Sequence, residues 1–341
     1  MSGAGDAILY LCAGDVRAAL ADVDAVAAVE SALVAHATGL TDLPPEAALR
    51  WTAPGGGAAR SLALPGAVLD GAARYGIKVI NASVGNPARG LPRASGLTML
   101  FDAETARVVA VLAADRISAL RTAAVTLLAV RAFGAAHARE MAVVGAGELA
   151  RAHLLLFAER LPRVERFHVF DLVRARAEAL AGEFGDADVR VCDSAEQAVR
   201  AADVVVPVTT TTTGYIPYGW LRPGCVVVNV SLDDVLPDVV RRADRIVVDD
   251  WGLVAADGVR LLGRLARRGE LVGPADGPPA AHQRRVDAEL GAVLAGRAPG
   301  RRRPDEVVLV NPFGLGIEDV AVADAVFRAA VRRGLGRWLP R

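Results

Sequence analysis

Residues Met141 to Ala150 read Met-Ala-Val-Val-Gly-Ala-Gly-Glu-Leu-Ala, and no other stretch restricts the fold so tightly. A short apolar run enters a turn with glycines at 145 and 147. A helical pattern follows, from Ala150 to Arg160. A second strand-like run, Phe167 to Asp171, then ends in a carboxylate 26 residues after Gly145. Strand, glycine turn, helix, strand and terminal acid form the fingerprint of a dinucleotide-binding βαβ unit. Gly145 permits the tight turn, and Gly147 lets the backbone approach a pyrophosphate. Ala150 replaces the third glycine and allows close helix–strand packing. Glu148 and Leu149 complete the turn, and the following helix N-terminus faces the phosphates with partial positive charge. Asp171 would accept hydrogen bonds from ribose hydroxyls and repel a 2′-phosphate, which favours NAD over NADP. Arg174 and Arg176 lie nearby and would suit the phosphorylated cofactor.

The same rhythm continues downstream. Strands are expected at Val189–Cys192, Val204–Val208, Val226–Val230, Arg245–Asp249 and Val307–Val310, with helices at 174–184 and 195–201. Strands alternating with helices make a doubly wound parallel sheet, an α/β Rossmann architecture. In such sheets ligands bind beyond the carboxyl ends of strands, which marks Thr209 in the run Thr209–Thr213 as a cofactor contact. Upstream the pattern differs. Strands at 8–12, 61–65, 75–80, 96–101 and 108–112 are broken by Gly- and Pro-containing turns, and a helix is expected over 118–133. The Pro-rich segment Leu40–Pro54 reads as irregular. This first part is α+β. A chain of 341 residues has room for two such domains, and a last helix is expected over 316–332.

Composition narrows the function. Formal net charge is zero, which gives no handle for nucleic acid or an anionic membrane surface. No uncharged apolar run approaches the roughly 18–20 residues of a membrane span, and no signal-peptide pattern opens the chain, so a cytoplasmic location is expected. Cys12, Cys192 and Cys225 are far apart and odd in number, against a disulfide framework. No histidine has metal-ligand spacing to another histidine or a cysteine, so no metal is expected. Lysine and arginine total 39, yet Lys78 is the sole lysine, leaving 38 arginines. Arginine has replaced lysine almost everywhere, so the survivor either marks a place where a compact donor with a movable pKa is needed or is a chance survivor on the surface.

Four stretches give the chain a wider likeness: Arg121-Thr-Ala-Ala-Val125, the glycine turn, Trp220-Leu-Arg-Pro-Gly224 leading into Val226–Val230, and Gly314 to Asp319. On these the chain resembles the ornithine cyclodeaminase/μ-crystallin family over nearly its full length. Arg93-Ala-Ser-Gly96, Ala243 to Trp251 and Val310 to Asp319 are similar to its N-(2-amino-2-carboxyethyl)-L-glutamate dehydrogenase branch. The resemblance implies a substrate-binding and dimerisation domain over residues 1–125, completed by 314–341, and an NAD-binding domain over 126–313. It implies a homodimer acting on a small amino acid. Arg50 and Arg121 would grip the substrate carboxylate, Lys78 would be the active-site lysine, and Asp234 the acid beside the reacting amine. Thr122 would touch the cofactor phosphates, and Ser231 would join the cofactor contacts.

The implied reaction is NAD-dependent cleavage of N-(2-amino-2-carboxyethyl)-L-glutamate to L-2,3-diaminopropionate and 2-oxoglutarate, a step toward siderophores or peptide antibiotics. Alternatives within the resemblance are ornithine cyclodeaminase, a cyclic-imine (ketimine) reductase, and a non-catalytic nucleotide-dependent binding protein. One stretch departs from the cyclodeaminases. Where they are glycine-rich, this chain reads Val230-Ser-Leu-Asp-Asp234, and Asp233 is a second candidate for the acid.

Overall fold

The computed structural model describes residues 7–134, 138–185 and 187–341. The chain divides into two compact units, Met1–Arg121 with Leu315–Arg341, and Thr122–Gly314.

The first unit is built on a mixed sheet. Its strands run in the spatial order Arg337–Pro340, Ala7–Leu11, Val108–Ala113, Ala94–Phe101, Arg74–Ser83, Ala58–Val68 and Thr41–Asp42. Ala7–Leu11 and Val108–Ala113 pair in parallel, and every other pairing is antiparallel. An eighth strand, Ala47–Thr52, pairs antiparallel with Ala58–Val68. It corrects the expectation that Leu40–Pro54 is irregular. This strand is exposed at every residue, so it lacks the apolar alternation that marks a half-buried strand, and Pro44-Pro45 just before it reads as a break. Strand 58–68 also runs well beyond the expected 61–65.

The helix Gly316–Arg333 packs on strands 58–68 and 74–83 and on the helix Ala25–Ala37. Its first eight residues are all buried. Backbone meets backbone where it starts. A Cβ on Gly316 would lie 2.4 Å from the Pro65 carbonyl oxygen, and one on Gly66 would lie 2.7 Å from Ile317 N. Only glycine at both positions allows this approach.

The second unit is an eight-stranded, all-parallel sheet. Its order is Val189–Val191, Arg166–Phe170, Glu140–Val144, Val204–Pro207, Val226–Val228, Val308–Asn311, Arg245–Val248 and Ala288–Glu289. The first five follow the sequence order 3-2-1-4-5 of a doubly wound dinucleotide fold. Strands covered on both faces need no polar alternation, which is why Val204-Val-Val, Val226-Val-Val and Val308-Leu-Val are apolar throughout and fully buried. Each such side chain contributes about 1.5–3 kcal/mol on leaving water. The topological switch falls between strands 140–144 and 204–207. The loops after those two strands therefore flank the crevice where this fold binds ligands.

Candidate functional site

In the first unit, Lys78 sits in the middle of strand 74–83, opposite Leu64 on one side and Thr98 on the other. It is only 1% exposed, so its charge needs partners. Nζ donates to Asp319 Oδ2 at 2.6 Å and to Ser118 Oγ at 3.3 Å. Ser118 and Arg121 share one face of the helix Asp115–Phe133. Arg121 Nη1 donates to Glu318 Oε2 at 2.8 Å, and its Nε lies 3.3 Å from Asp319 Oδ1. Two cations and two fully buried acids thus form one cluster. Glu318 and Asp319 occupy the first turn of helix 316–333, where unpaired backbone N–H groups favour negative charge. Burial, and then the charge of Arg121, push the Lys78 ammonium down to about 8, with Asp319 and Glu318 opposing. The lysine can therefore hold or release a proton near neutral pH.

Glu318 and Asp319 had no role in the sequence reading. Their signal was present as two adjacent acids inside an otherwise apolar run. Arg50 is not part of this cluster. It stands exposed on strand 47–52, in register with Arg60 and, beyond it, Ala82. The alternation puts it on the Lys78 face of the sheet, about 13 Å along and two strands, about 10 Å, across. Arg93 precedes strand 94–101. Burial lowers its guanidinium from the ordinary arginine value, and no carboxylate among the described residues pairs with it.

In the second unit, Gly145 has φ +102°, and a Cβ there would meet the Val208 carbonyl oxygen at 3.0 Å. Gly147 caps the helix Glu148–Arg160 without a side-chain hydrogen bond, and nothing lies within 4 Å of where its Cβ would be. Glu148 and Leu149 are the first two helical residues. Asp171 ties this turn to the next strand. Its Oδ2 accepts from Ala146 N at 2.9 Å and its Oδ1 from Val173 N at 2.8 Å. Each carboxylate oxygen keeps a further acceptor position for a ribose hydroxyl. Arg174 is turned to Glu178 and Asp193, at 2.8 and 2.6 Å. An open glycine cradle, an uncapped helix N-terminus and an acid at the neighbouring strand end suit a dinucleotide. Thr122 lies in helix 115–133, where its carbonyl accepts from Thr126 Oγ1 at 3.1 Å.

Beyond strands 204–207 and 226–228, the structure brings Thr209, Ser231 and Asp234 together. Thr209 N donates to Ser231 Oγ at 2.8 Å, and Ser231 Oγ donates to the Pro207 carbonyl at 2.9 Å. Thr209 Oγ1 and the Tyr215 hydroxyl both donate to Asp234 Oδ1, at 2.6 and 3.0 Å. Asp234 Oδ2 is buried with no hydrogen-bond partner. Burial raises the Asp234 pKa from the ordinary carboxylate value, against the opposing effect of the Thr209, Ser231 and Tyr215 hydroxyls. Asp233 has a different occupation. It accepts from Leu261 N at 2.9 Å, at the start of the helix Leu261–Arg267, and pairs with Arg260 and Arg264 at 3.3 and 3.2 Å. Of the two acids, Asp234 is the one with an uncommitted oxygen. The loop carrying them is strained, with Leu232 at φ +75°.

Residues 9–334 match the model of the ornithine cyclodeaminase/mu-crystallin family. A relative from Staphylococcus aureus, N-((2S)-2-amino-2-carboxyethyl)-L-glutamate dehydrogenase, is 31% identical over 97% of this chain and 98% of its own. Among solved structures, CmnK is 43% identical with a TM-score of 0.90, covering 98% of both chains. An archaeal alanine dehydrogenase dimer with bound NAD is 25% identical with a TM-score of 0.83, covering 98% of this chain and 99% of its own. This chain therefore belongs to the ornithine cyclodeaminase/mu-crystallin family.

Proposed function

We propose that the protein is an NAD-dependent dehydrogenase that opens the Cα–N bond of N-(2-amino-2-carboxyethyl)-L-glutamate, releasing L-2,3-diaminopropionate and 2-oxoglutarate. The observation that carries this reading is Asp234. It is a buried acid at the carboxyl ends of the parallel strands, with one oxygen accepting hydrogen bonds from two hydroxyls and the other unclaimed. The likeness to the Staphylococcus aureus dehydrogenase, over nearly the whole of both chains, supports this choice of substrate.

NAD, held by the turn at 145–149 and by Asp171, would supply the acceptor for the Cα hydrogen as hydride. For that hydrogen to leave, the substrate nitrogen must be neutral so that its lone pair can form the C=N bond. Asp234 Oδ2 takes the amine proton, and its raised pKa makes it a better base than an exposed aspartate. Water then adds to the substrate iminium carbon, and the C–N bond breaks to give the oxo acid and the free amine. Lys78 holds or moves the protons of that water. Arg121, oriented by Glu318 and Asp319, pairs with the substrate α-carboxylate, and Arg50 with a further one. Arg50 is exposed and Arg93 lacks a carboxylate partner among the described residues, which favours a substrate with more than one acid group. The enzyme acts as a homodimer in the cytoplasm, supplying diaminopropionate for siderophore or peptide antibiotic synthesis.

The test is NADH formation with NAD and N-(2-amino-2-carboxyethyl)-L-glutamate, with L-ornithine in parallel. NADH and 2-oxoglutarate are expected from the first compound alone, and neither is expected from Lys78→Ala. Proline from ornithine without net NADH would replace this reading with a cyclodeaminase.

A further inference from the structure

Asp234 is held by more than its neighbours in sequence. Tyr215 N and Ile216 N both donate to the Asp234 carbonyl, at 2.8 and 3.0 Å, and Leu236 N returns a bond to the Ile216 carbonyl at 2.9 Å. A Cβ on Gly214 would lie 2.6 Å from the Val235 carbonyl oxygen, so glycine is what lets the two backbones meet. Main chain thus fixes where the Tyr215 ring stands relative to the Asp234 carboxylate. The phenol has one proton and gives it to Oδ1. Burial, reinforced by the Asp234 charge, raises the Tyr215 pKa, so the group stays a donor throughout the working range. Thr209 is oriented in the same way. Its hydroxyl accepts from Thr211 N at 3.1 Å, which points its proton at Asp234.

We propose that Tyr215 is a positioning residue for this reaction: with Thr209 it saturates Asp234 Oδ1, so that Oδ2 alone exchanges a proton with the substrate amine. The inference rests on the assignment of Asp234 as the proton acceptor. The charge that acts on Asp234 is that of Asp233, which raises its pKa and is itself paired with Arg260 and Arg264. Removing the phenol hydroxyl leaves those charges in place and deletes one bond to the ionised carboxylate. Asp234 then becomes easier to protonate.

Two readouts test this on Tyr215→Phe. One is the pH profile of kcat/KM for amine oxidation. The other is infrared pH titration of the Asp234 carboxyl band in the protein alone, assigned by its loss in Asp234→Asn. Both the acidic limb and the band are expected to move up by about one pH unit. The kcat should fall roughly tenfold with little change in KM or in NADH affinity. Thr209→Val is expected to shift the band in the same direction, and Thr209→Ser to keep the wild-type titration. Wild-type turnover with an unmoved limb and band overturns the inference and leaves the proposed function standing. A band that shifts in a protein inert toward the amine overturns the function and leaves the positioning role standing.

Discussion

Lys78 Nζ stands 2.6 Å from Asp319 Oδ2, with both side chains out of water and a separation of 241 positions along the chain. Desolvating both charges offsets much of their attraction, so the pair is better understood as a device for tuning the lysine than as a source of stability. Asp319→Asn removes a charge that raises the Lys78 pKa, while Arg121 remains to lower it. The lysine in that variant is expected to titrate below the wild-type value of about 8. The alkaline limb of kcat/KM should move to lower pH accordingly, and a limb that stays in place would remove Lys78 from the proton inventory.

Stability should respond to pH through the same group, in an unusual sense. A lysine in a surface ion pair has a raised pKa and loses its contribution as pH climbs. Lys78 is lowered from 10.5 to about 8, so between those values the unfolded chain binds more protons than the folded one. Its contribution therefore grows with pH across that window. Urea denaturation of wild type and Lys78→Met is expected to give a difference that shifts in favour of wild type from pH 8 to 10.5. A constant difference would mean that burial does not depress the lysine.

Leu232 reverses a familiar order of substitution. Its φ of +75° costs a leucine about 1–2 kcal/mol, yet its side chain is 8% exposed and packed. Alanine at this position loses the packing and keeps the strain, whereas glycine loses the packing and relieves it. Leu232→Gly is expected to be more stable than Leu232→Ala by about 1 kcal/mol, measured by urea denaturation, although alanine wins at ordinary positions. Equal stabilities would remove the strain at Leu232.

Asp171 is expected to govern dinucleotide affinity. Hydrogen bonds to a charged group contribute about 1.5–3 kcal/mol, so Asp171→Ala should weaken NADH binding roughly 10- to 100-fold in a fluorescence titration. NADPH, whose 2′-phosphate the carboxylate repels, should lose far less. Equal losses for both nucleotides would mean that Asp171 acts only by holding Ala146 in the turn.

The dinucleotide half was legible because its determinants are local. Gly145, Gly147 and Asp171 lie within one βαβ unit, and each is dictated by backbone geometry at its own position. Lys78 stood out through composition alone. Glu318 and Asp319 did not, since their role exists only where helix 316–333 meets strand 74–83, a contact no local pattern encodes. Nor could adjacency separate Asp233 from Asp234. Arg260, Arg264 and Leu261 N make that distinction from a helix more than two dozen residues downstream. Tyr215 was equally silent, because its placement comes from main-chain bonds to Asp234 rather than from a motif.

A chain whose only lysine is buried in its acid–base cluster carries its own spectroscopic reporter. Growth on nitrogen-labelled lysine would place a single side-chain amine signal in the whole molecule, at the nitrogen proposed to move protons. Its chemical shift could be followed through titration, cofactor addition and substrate addition with no assignment and no engineered probe.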